Sequence, residues 1–113
     1  MPFIDSKVTM SLSTEKKEAL KTQLGKAISL LGKPESFLMI GFEENYDLYM
    51  GGAKLDAGAC VAVSLFGSSS PSAYENMTVE ICRIFEELLS IPPKNIYITY
   101  SPIENWGWNG HNL

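Results

Sequence analysis

The residue whose type and position most favour chemistry is Pro2, which directly follows Met1. A small second residue ordinarily allows Met1 to be removed, and Pro2 would then carry a free secondary amine. An apolar pocket or a neighbouring cation disfavours the protonated form of such an amine and lowers its pKa towards neutrality, where the amine can act as a general base. Because many proteins begin with Met-Pro, an ordinary N-terminus without catalytic function remains an alternative.

The other chemistry-bearing residues form no recognised catalytic or metal-binding pattern. Cys60 and Cys82 lie in apolar segments, and their spacing matches neither a CxxC redox motif nor a zinc site, so we expect two reduced core thiols. His111, the only histidine, has no partner at metal-ligand spacing and is expected at the surface. There is also no glycine-rich phosphate-binding loop. The sequence therefore predicts no metal and no cofactor.

Composition excludes several classes of protein. The 113 residues fit one domain, residues 1–113, and 45% hydrophobic against 19% charged residues excludes disorder. A net charge of −4 disfavours nucleic acid as a partner. The longest uncharged, mostly apolar stretch, residues 57–67, is shorter than the roughly 20 residues of a membrane-spanning helix, so no membrane partner is expected. The N-terminus lacks the pattern of a secretory signal, which favours a cytoplasmic location.

The elements that must position Pro2 begin with a strand, a helix and a second strand. Residues 2–9 predict the first strand, and Ser11 or Ser13 can cap the helix that follows. The helix has one apolar stripe at helical spacing, and Gly32 is placed to end it. Residues 37–42 predict the second strand. The stripe consists of Leu20, Leu24, Ala27, Ile28 and Leu31.

The second half has a similar pattern. Residues 57–66 are almost continuously apolar, which is typical of a strand covered on both faces in a parallel sheet. A serine-rich cluster at 68–72 offers a helix N-cap, and Pro92-Pro93 end the helix. The remaining predicted features are a short strand at 48–50, the Gly51-Gly52 turn, a last strand at 96–100, and a second helical stripe of Tyr74, Met77, Ile81, Ile84, Phe85 and Leu88.

The two halves resemble each other at an offset of 59 residues, which aligns Ser11 with Ser70 and Pro34 with Pro93. This similarity predicts an α/β fold of tandem βαβ units. Right-handed crossovers would place both helices on one face of a four-stranded mixed sheet. We expect the other face to be apolar and to be buried by association with further copies of the chain.

Five segments give the chain a resemblance to a known family. They are Met1-Pro2, Leu31–Phe37 (LGKPESF), Gly51-Gly52, Ile96–Ile98 and Trp106–Gly110. In this order and spacing, over essentially the whole length, the chain resembles the macrophage migration inhibitory factor family of the tautomerase superfamily. In that family an N-terminal proline is the catalytic base, and three subunits form a barrel-like homotrimer with pockets between them.

The resemblance implies catalytic roles for particular residues. Pro2 would be the general base and acid, and Lys33 would contact a substrate carboxylate or oxygen while its charge lowers the Pro2 pKa. Ser64 and Leu65 fall at the end of the central strand, where the family uses the backbone amide at the Leu65 position as a hydrogen-bond donor. Apart from the resemblance, Lys33 has the alternative of a solvated cation after a helix.

The resemblance also implies residues that line the pocket. Tyr97 would come from a neighbouring subunit, Trp106 and Trp108 would form aromatic walls, and Phe37 matches a rim tyrosine of some members. Thr99 stands where many members have a substrate-binding asparagine, so that contact would be shortened or lost. Trp106 is bulkier than the usual aliphatic residue and would narrow the pocket. Without the family, the two tryptophans would be packing aromatics at a subunit edge.

The function implied is a cofactor-independent keto–enol tautomerase acting on a small aromatic α-keto acid of the phenylpyruvate type, with dopachrome-like compounds as a further substrate class. The alternative implied by the same family is a cytokine-like signalling protein, secreted without a signal peptide, that binds a host receptor and has a vestigial pocket. Ala57 replaces the first cysteine of the CxxC found in some animal members, so thiol–disulfide oxidoreductase activity is not expected.

Overall fold

Two helices pack on one face of a four-stranded sheet in the computed structural model, which describes residues 1–113. Three short 3-10 turns cover Ile28–Leu31, Glu35–Phe37 and Pro93–Asn95. The strands and helices are β1 (Pro2–Val8), α1 (Thr14–Ala27), β2 (Met39–Glu43), β3 (Tyr49–Met50), β4 (Ala53–Lys54), β5 (Ala59–Phe66), α2 (Pro71–Leu89), β6 (Ile96–Ile103), β7 (Gly107–Trp108) and β8 (His111–Asn112).

The order of the strands in the sheet is β2-β1-β5-β6. The pairs β1–β2 and β5–β6 are parallel, and the two central strands β1 and β5 are antiparallel. This arrangement confirms the predicted mixed sheet of two βαβ units. The expectation that residues 57–66 form a strand of a parallel sheet covered on both faces is wrong: β5 begins at Ala59, and its residues alternate between buried and half-buried.

The helix caps show by how many residues the two βαβ units are offset. Ser13 Oγ accepts a hydrogen bond from Lys16 N at 3.1 Å, and Ser70 Oγ accepts one from Ala73 N at 3.1 Å, so Ser13 rather than Ser11 is the cap. These caps lie 57 residues apart, as do the first residues of β2 and β6. The predicted offset of 59 is therefore wrong by two residues. Gly32 ends the first helical segment at φ 73°, as predicted.

The core lies between the helices and one face of the sheet. Because side chains alternate along a strand, one face receives every second residue and packs against the apolar stripes of α1 and α2. The most completely buried members are Ile4, Val8, Val61 and Val63 from the sheet, Leu20 and Leu24 from α1, and Met77, Ile81, Ile84 and Phe85 from α2. Both cysteines are free and half-buried. Neither helix has the length and apolar composition that crossing a bilayer requires.

The opposite face of the sheet, here called the open face, is more polar than predicted. Lys7 Nζ lies 3.3 Å from Asp5 Oδ2 and 3.2 Å from Glu43 Oε2, and all three side chains belong to this face. Ser64 and Thr99 lie on it as well. The expectation of an apolar face is thus wrong at β1 and β2, where the alternation places charged side chains outward.

Two small hairpins extend from the main sheet. In β3–β4 the turn residues Gly51 and Gly52 have φ 59° and 81°, and in β7–β8 Asn109 and Gly110 have φ 54° and 82°. Positive φ at both central residues is the geometry of a tight hairpin turn that Gly and Asn-Gly favour. The predicted strand at 48–50 is therefore part of a separate ribbon. The C-terminal hairpin was not predicted, although Asn109-Gly110 is a strong hairpin signal.

Candidate active site

A cleft of about 370 Å³ surrounds the start of β1. Three distant segments build its walls: the N-terminus, the loop leading into β2, and the C-terminal hairpin. Their lining residues are Met1, Pro2 and Phe3; Ser36, Phe37, Leu38 and Met39; and Trp106, Gly107 and Trp108. Pro2 is buried at this site, and in the chain that carries Met1 its nitrogen is part of an amide.

Aromatic side chains form one wall of the cleft. The rings of Phe37 and Trp108 meet edge to face, with centroids 5.5 Å apart and planes 81° apart. Trp106 is half-buried, and its carbonyl accepts a hydrogen bond from Leu113 N at 2.9 Å, which closes the C-terminal hairpin. The structure therefore brings three predicted residues, Phe37, Trp106 and Trp108, to the same cleft as Pro2.

Lys33 does not line the cleft, but it approaches the N-terminus from the turn after the first helical segment. Its Nζ donates a hydrogen bond to the Phe66 carbonyl at 3.0 Å, and Phe66 N donates to the Met1 carbonyl at 2.9 Å. The ammonium is thus held beside the first peptide group of the chain. Burial and, to a smaller extent, the charge of Lys33 lower the pKa of the Met1 amino group from its ordinary value.

Ser64 and Leu65 lie on the strand opposite the start of β1. Leu65 is paired with Pro2 and Ser64 with Phe3 in the antiparallel register. The Leu65 side chain is fully buried in the interior, so only its backbone could serve a ligand. Ser64 is half-buried and belongs to the open face. Neither side chain lines the cleft around Pro2.

Tyr97 and Thr99 lie outside the cleft of their own chain. Across β5, Tyr97 is level with Lys7, five residues along β1 from Pro2, which is about 16 Å in the strand direction. Its side chain is 64% exposed and lines a second cleft, of about 230 Å³, next to β3. Thr99 is also exposed. Neither residue can contact the Pro2 of the same chain, so their predicted place in the pocket depends on another subunit.

The whole chain, residues 1–113, matches the family model described as macrophage migration inhibitory factor (MIF). The chain belongs to the macrophage migration inhibitory factor family. It matches none of the curated proteins by sequence. The family assignment agrees with the fold, because the tautomerase superfamily fold is the mixed sheet with two helices described above.

Solved structures of macrophage migration inhibitory factors superpose on nearly all of the chain. Leishmania major MIF2 is similar with a TM-score of 0.93 and 32% identity, covering 100% of this chain and 97% of that one. The factor from Toxoplasma gondii has a TM-score of 0.90 and 22% identity, with 98% and 99% coverage. The homologue from Prochlorococcus marinus has a TM-score of 0.87 and 25% identity, with 97% of each chain covered.

Some cleft residues of this family member were not predicted from its sequence. Phe3, Ser36, Leu38 and Met39 line the cleft beside the predicted residues, and Met39 is 68% exposed on the edge strand β2. The only sequence signal for these residues was that they lie next to Pro2 and Phe37, since an apolar residue has the same pattern in the sequence whether its side chain faces a core or a cleft.

Nowhere in the chain do three His, Cys, Asp or Glu side chains converge as metal ligands do.

Proposed function

We propose that this chain is a cofactor-independent keto–enol tautomerase that uses the Pro2 amine, after removal of Met1, as its general base and acid. The observation that carries the proposal is the surroundings of the first peptide group. There, burial and the nearby Lys33 ammonium lower the pKa of the chain's terminal amine. The same surroundings would keep a Pro2 amine neutral at a pH where it can take a proton.

The proton transfer needs no reactant other than the substrate and the Pro2 amine. The lone pair on the Pro2 nitrogen accepts the proton from the carbon next to the substrate carbonyl. The electrons of that C–H bond form the C=C bond, and the carbonyl π electrons move to oxygen, which becomes an enolate. The Lys33 ammonium, held beside the first peptide group by its hydrogen bond to the Phe66 carbonyl, would stabilise this negative charge. Transfer of this same proton from Pro2 to the oxygen gives the enol and restores the neutral amine. Ketonisation runs the steps in reverse, with the enol proton passing to Pro2 and then to carbon.

The substrate class follows from the walls of the cleft. Phe37, Trp106 and Trp108 line the cleft and offer aromatic surfaces that suit a planar aromatic ring. The Lys33 ammonium, which lies beside the first peptide group and not in the cleft wall, suits a carboxylate. A small α-keto acid of the phenylpyruvate type combines both features, and dopachrome-like compounds share them. We place the reaction in the cytoplasm, because the N-terminus lacks the pattern of a secretory signal.

The assembly proposed with this function is a homotrimer. Tyr97 and Thr99 lie too far from their own Pro2 to contact it, and both are exposed on strand β6. A neighbouring subunit that packs against the cleft would supply them to the pocket. Each trimer would then contain three pockets, each built from two chains.

The experiment is a rate measurement on chains of known N-terminus. Intact mass first establishes whether Met1 is absent, and ketonisation of the phenylpyruvate enol is then followed spectroscopically. We expect the Met1-free chain to be active, the Pro2→Gly variant to be much slower, and a chain that keeps Met1 to be inactive because its Pro2 nitrogen is an amide. A Met1-free chain no faster than Pro2→Gly would contradict the proposal.

That negative outcome would favour the second candidate, a secreted cytokine-like signalling protein with a vestigial pocket. Its test is direct binding of the labelled chain to receptors on host cells, with an excess of unlabelled chain as competitor. Saturable binding that is unchanged in Pro2→Gly would support a signalling role that does not depend on tautomerase chemistry.

A further inference from the structure

The second cleft, of about 230 Å³ next to β3, contains residues that the pocket proposed above does not use. Its walls come from residues 48–51 of the β3–β4 ribbon, from the start of β5 and from Tyr97, and most of them are apolar. Tyr97 is paired with Cys60 in the parallel register of β5 and β6, so both side chains belong to the open face of the sheet. Tyr49 of the ribbon therefore shares one cleft with Tyr97.

The ribbon that carries Tyr49 is attached to the part of the sheet that carries Tyr97. Leu55 N donates a hydrogen bond to the Leu48 carbonyl at 2.9 Å, which closes the ribbon at its base. The Leu55 side chain packs against Gly58, just before β5, where a Cβ would lie 2.7 Å from Leu55 Cδ1. Because this close contact holds the ribbon beside β5, a surface that covers Tyr97 also covers Tyr49.

Two separate groups of exposed apolar side chains lie at the two clefts. Around the Pro2 cleft they are Phe37, Met39 and Trp108. Around the second cleft they are Tyr49, which is 65% exposed, and Tyr97. Grouped apolar side chains on a surface mark sites where another molecule binds. In a closed ring of identical chains each chain presents two different surfaces, and one of them contacts the other on the next chain. The two groups fit the two sides of such a contact.

We propose that Tyr49 of one chain lies in the pocket around Pro2 of the neighbouring chain, where its ring contacts the aromatic ring of the substrate. The second cleft is thus covered by a second copy of this chain, and the substrate ring lies between Tyr49 and the wall that Phe37 and Trp108 form. This inference rests on the proposed function, because a neighbour that brings Tyr97 to the pocket brings Tyr49 with it. It adds a residue to which neither the sequence pattern nor the family resemblance pointed.

The first test compares ligands with and without an aromatic ring. For Tyr49→Ala we expect the KM of phenylpyruvate to rise about fivefold, as for loss of one aromatic pair, while kcat changes little because Tyr49 contacts the ring and not the reacting atoms. Inhibition by benzoylformate, an α-keto acid with a phenyl ring, should weaken by a similar factor. Inhibition by pyruvate, which has no ring, should stay the same. Equal weakening of both inhibitors would indicate a merely structural role and overturn the inference.

Two further variants control this test. Tyr46 is an exposed tyrosine that lines neither cleft, so Tyr46→Ala removes the same atoms and should leave the KM of phenylpyruvate unchanged. Tyr49→Phe restores the ring without the hydroxyl group and should recover most of the affinity that Tyr49→Ala loses. Native mass checks that every variant assembles as the wild type does.

Mixed trimers show from which chain Tyr49 acts. Tyr49→Ala is refolded together with Pro2→Gly, and the rate is measured at a phenylpyruvate concentration well below KM. About a quarter of the sites then combine an intact Pro2 with an intact Tyr49 from the neighbour, so the mixture should have about three times the mean activity of the separate variants. A mixture of Tyr49→Ala and Tyr97→Ala should show no gain, because one chain contributes both residues to the same neighbouring pocket.

Photocross-linking locates Tyr49 without catalysis. With 4-benzoylphenylalanine at position 49, irradiation should join two chains, and the peptide masses should place the link within residues 36–39 or 106–108 of the neighbour. Position 79 is the control, since Val79 is exposed on α2 and lines neither cleft. The same group at position 79 should give no link to these segments.

The outcomes separate this inference from the proposed function. If the wild-type chain is inactive, the tautomerase proposal fails, and the cross-link alone tests the position of Tyr49. If the wild-type chain is active but Tyr49→Ala keeps the wild-type KM, or its mixture with Pro2→Gly shows no gain, or the cross-link forms elsewhere, the inference is wrong and the tautomerase proposal stands. If Tyr49→Ala does not assemble, Tyr49→Leu takes its place, because leucine keeps apolar bulk without the aromatic ring.

Discussion

Burial and, to a smaller extent, the charge of Lys33 lower the pKa of the Met1 amine. We expect the same two causes to act on the Pro2 amine once Met1 is removed. An amine of lowered pKa is neutral over a wider range of pH, so kcat/KM should rise with pH through the pKa of the amine and then level off.

We therefore predict that Lys33→Met moves the acid limb of the pH profile of kcat/KM to higher pH, because the amine's pKa rises when the positive charge is removed. The rate on the plateau should also fall, by about 100-fold, because the substrate oxygen loses a charged donor. The measurement is phenylpyruvate tautomerisation between pH 5 and 9.

The matched control is Lys33→Arg, which keeps the positive charge but changes the geometry of the donor. It should leave the acid limb near its wild-type position while lowering the plateau. An acid limb that stays in place in Lys33→Met would show that burial alone sets the pKa of the amine, and would remove Lys33 from that role.

Among secondary-structure elements, the C-terminal hairpin β7–β8 has the most direct effect on the cleft. It presents Trp108 to Phe37, and its turn requires the left-handed conformation at Asn109 and Gly110. The hairpin lies outside the hydrophobic core, and its residues are exposed. Its conformation should therefore affect substrate binding more than the free energy of unfolding.

We predict that Gly110→Ala raises KM severalfold and changes the melting temperature little. A Cβ at this position would have open space around it, so the cost is the left-handed backbone itself, about 1 kcal/mol. The strain would be relieved by local rearrangement of the hairpin, which displaces Trp108. Steady-state kinetics and a thermal melt on the same sample measure the two effects.

Gly110→Asn serves as the control, since asparagine tolerates the left-handed region better than alanine does. Its KM should lie between those of the wild type and Gly110→Ala. Equal KM values for all three chains would mean that Trp108 does not contribute to the pocket through this hairpin.

The elements themselves were largely predictable, because helices and strands follow from patterns within a few residues. The stripe ending at Leu31, the cap at Ser70 and the Gly51-Gly52 turn are all local signals, and the structure has each of them. One error arose where a short pattern had two solutions. Ser11 and Ser13 were both possible caps, and aligning Ser11 instead of Ser13 with Ser70 shifted the repeat by two residues.

For the molecule as a whole, the decisive feature is that one chain does not complete the proposed pocket. Tyr97 and Thr99 are exposed on β6, and Pro2 at the start of β1 is displaced along the strand direction by about 16 Å from Tyr97 and about 10 Å from Thr99. The open face of the sheet carries the charged group of Lys7, Asp5 and Glu43. The exposed Tyr97 and Thr99 and the charged open face are both compatible with the proposed assembly of several chains.

We predict that the chain has three times its 12.5 kDa mass in solution and that Pro2 and Tyr97 act from different subunits. Pro2→Gly and Tyr97→Ala should each have low activity as pure homotrimers. Randomly mixed trimers of the two variants should regain activity, because about a quarter of their sites combine an intact Pro2 with an intact Tyr97 from the neighbour.

Light scattering and native mass measure the assembly, and refolding the two variants together from denaturant produces the mixed trimers. A mixture of wild type and Pro2→Gly, treated in the same way, controls for losses during refolding. Activity of the mixed variants no greater than the mean of the separate ones would show that Tyr97 does not complete a neighbour's site.

Local sequence was sufficient for the class of fold, because periodicity and capping are properties of residues near one another in the chain. Pro2 was a candidate by its type and position, whereas Lys33 and the aromatic residues became candidates through the resemblance to the family. The tertiary structure decided which of them meet. It placed Phe37 against Trp108, kept Tyr97 away from its own Pro2, and directed the amide of Phe66 to the Met1 carbonyl. The last of these depends on the register between β1 and β5, which distant backbone hydrogen bonds set and no local pattern contains.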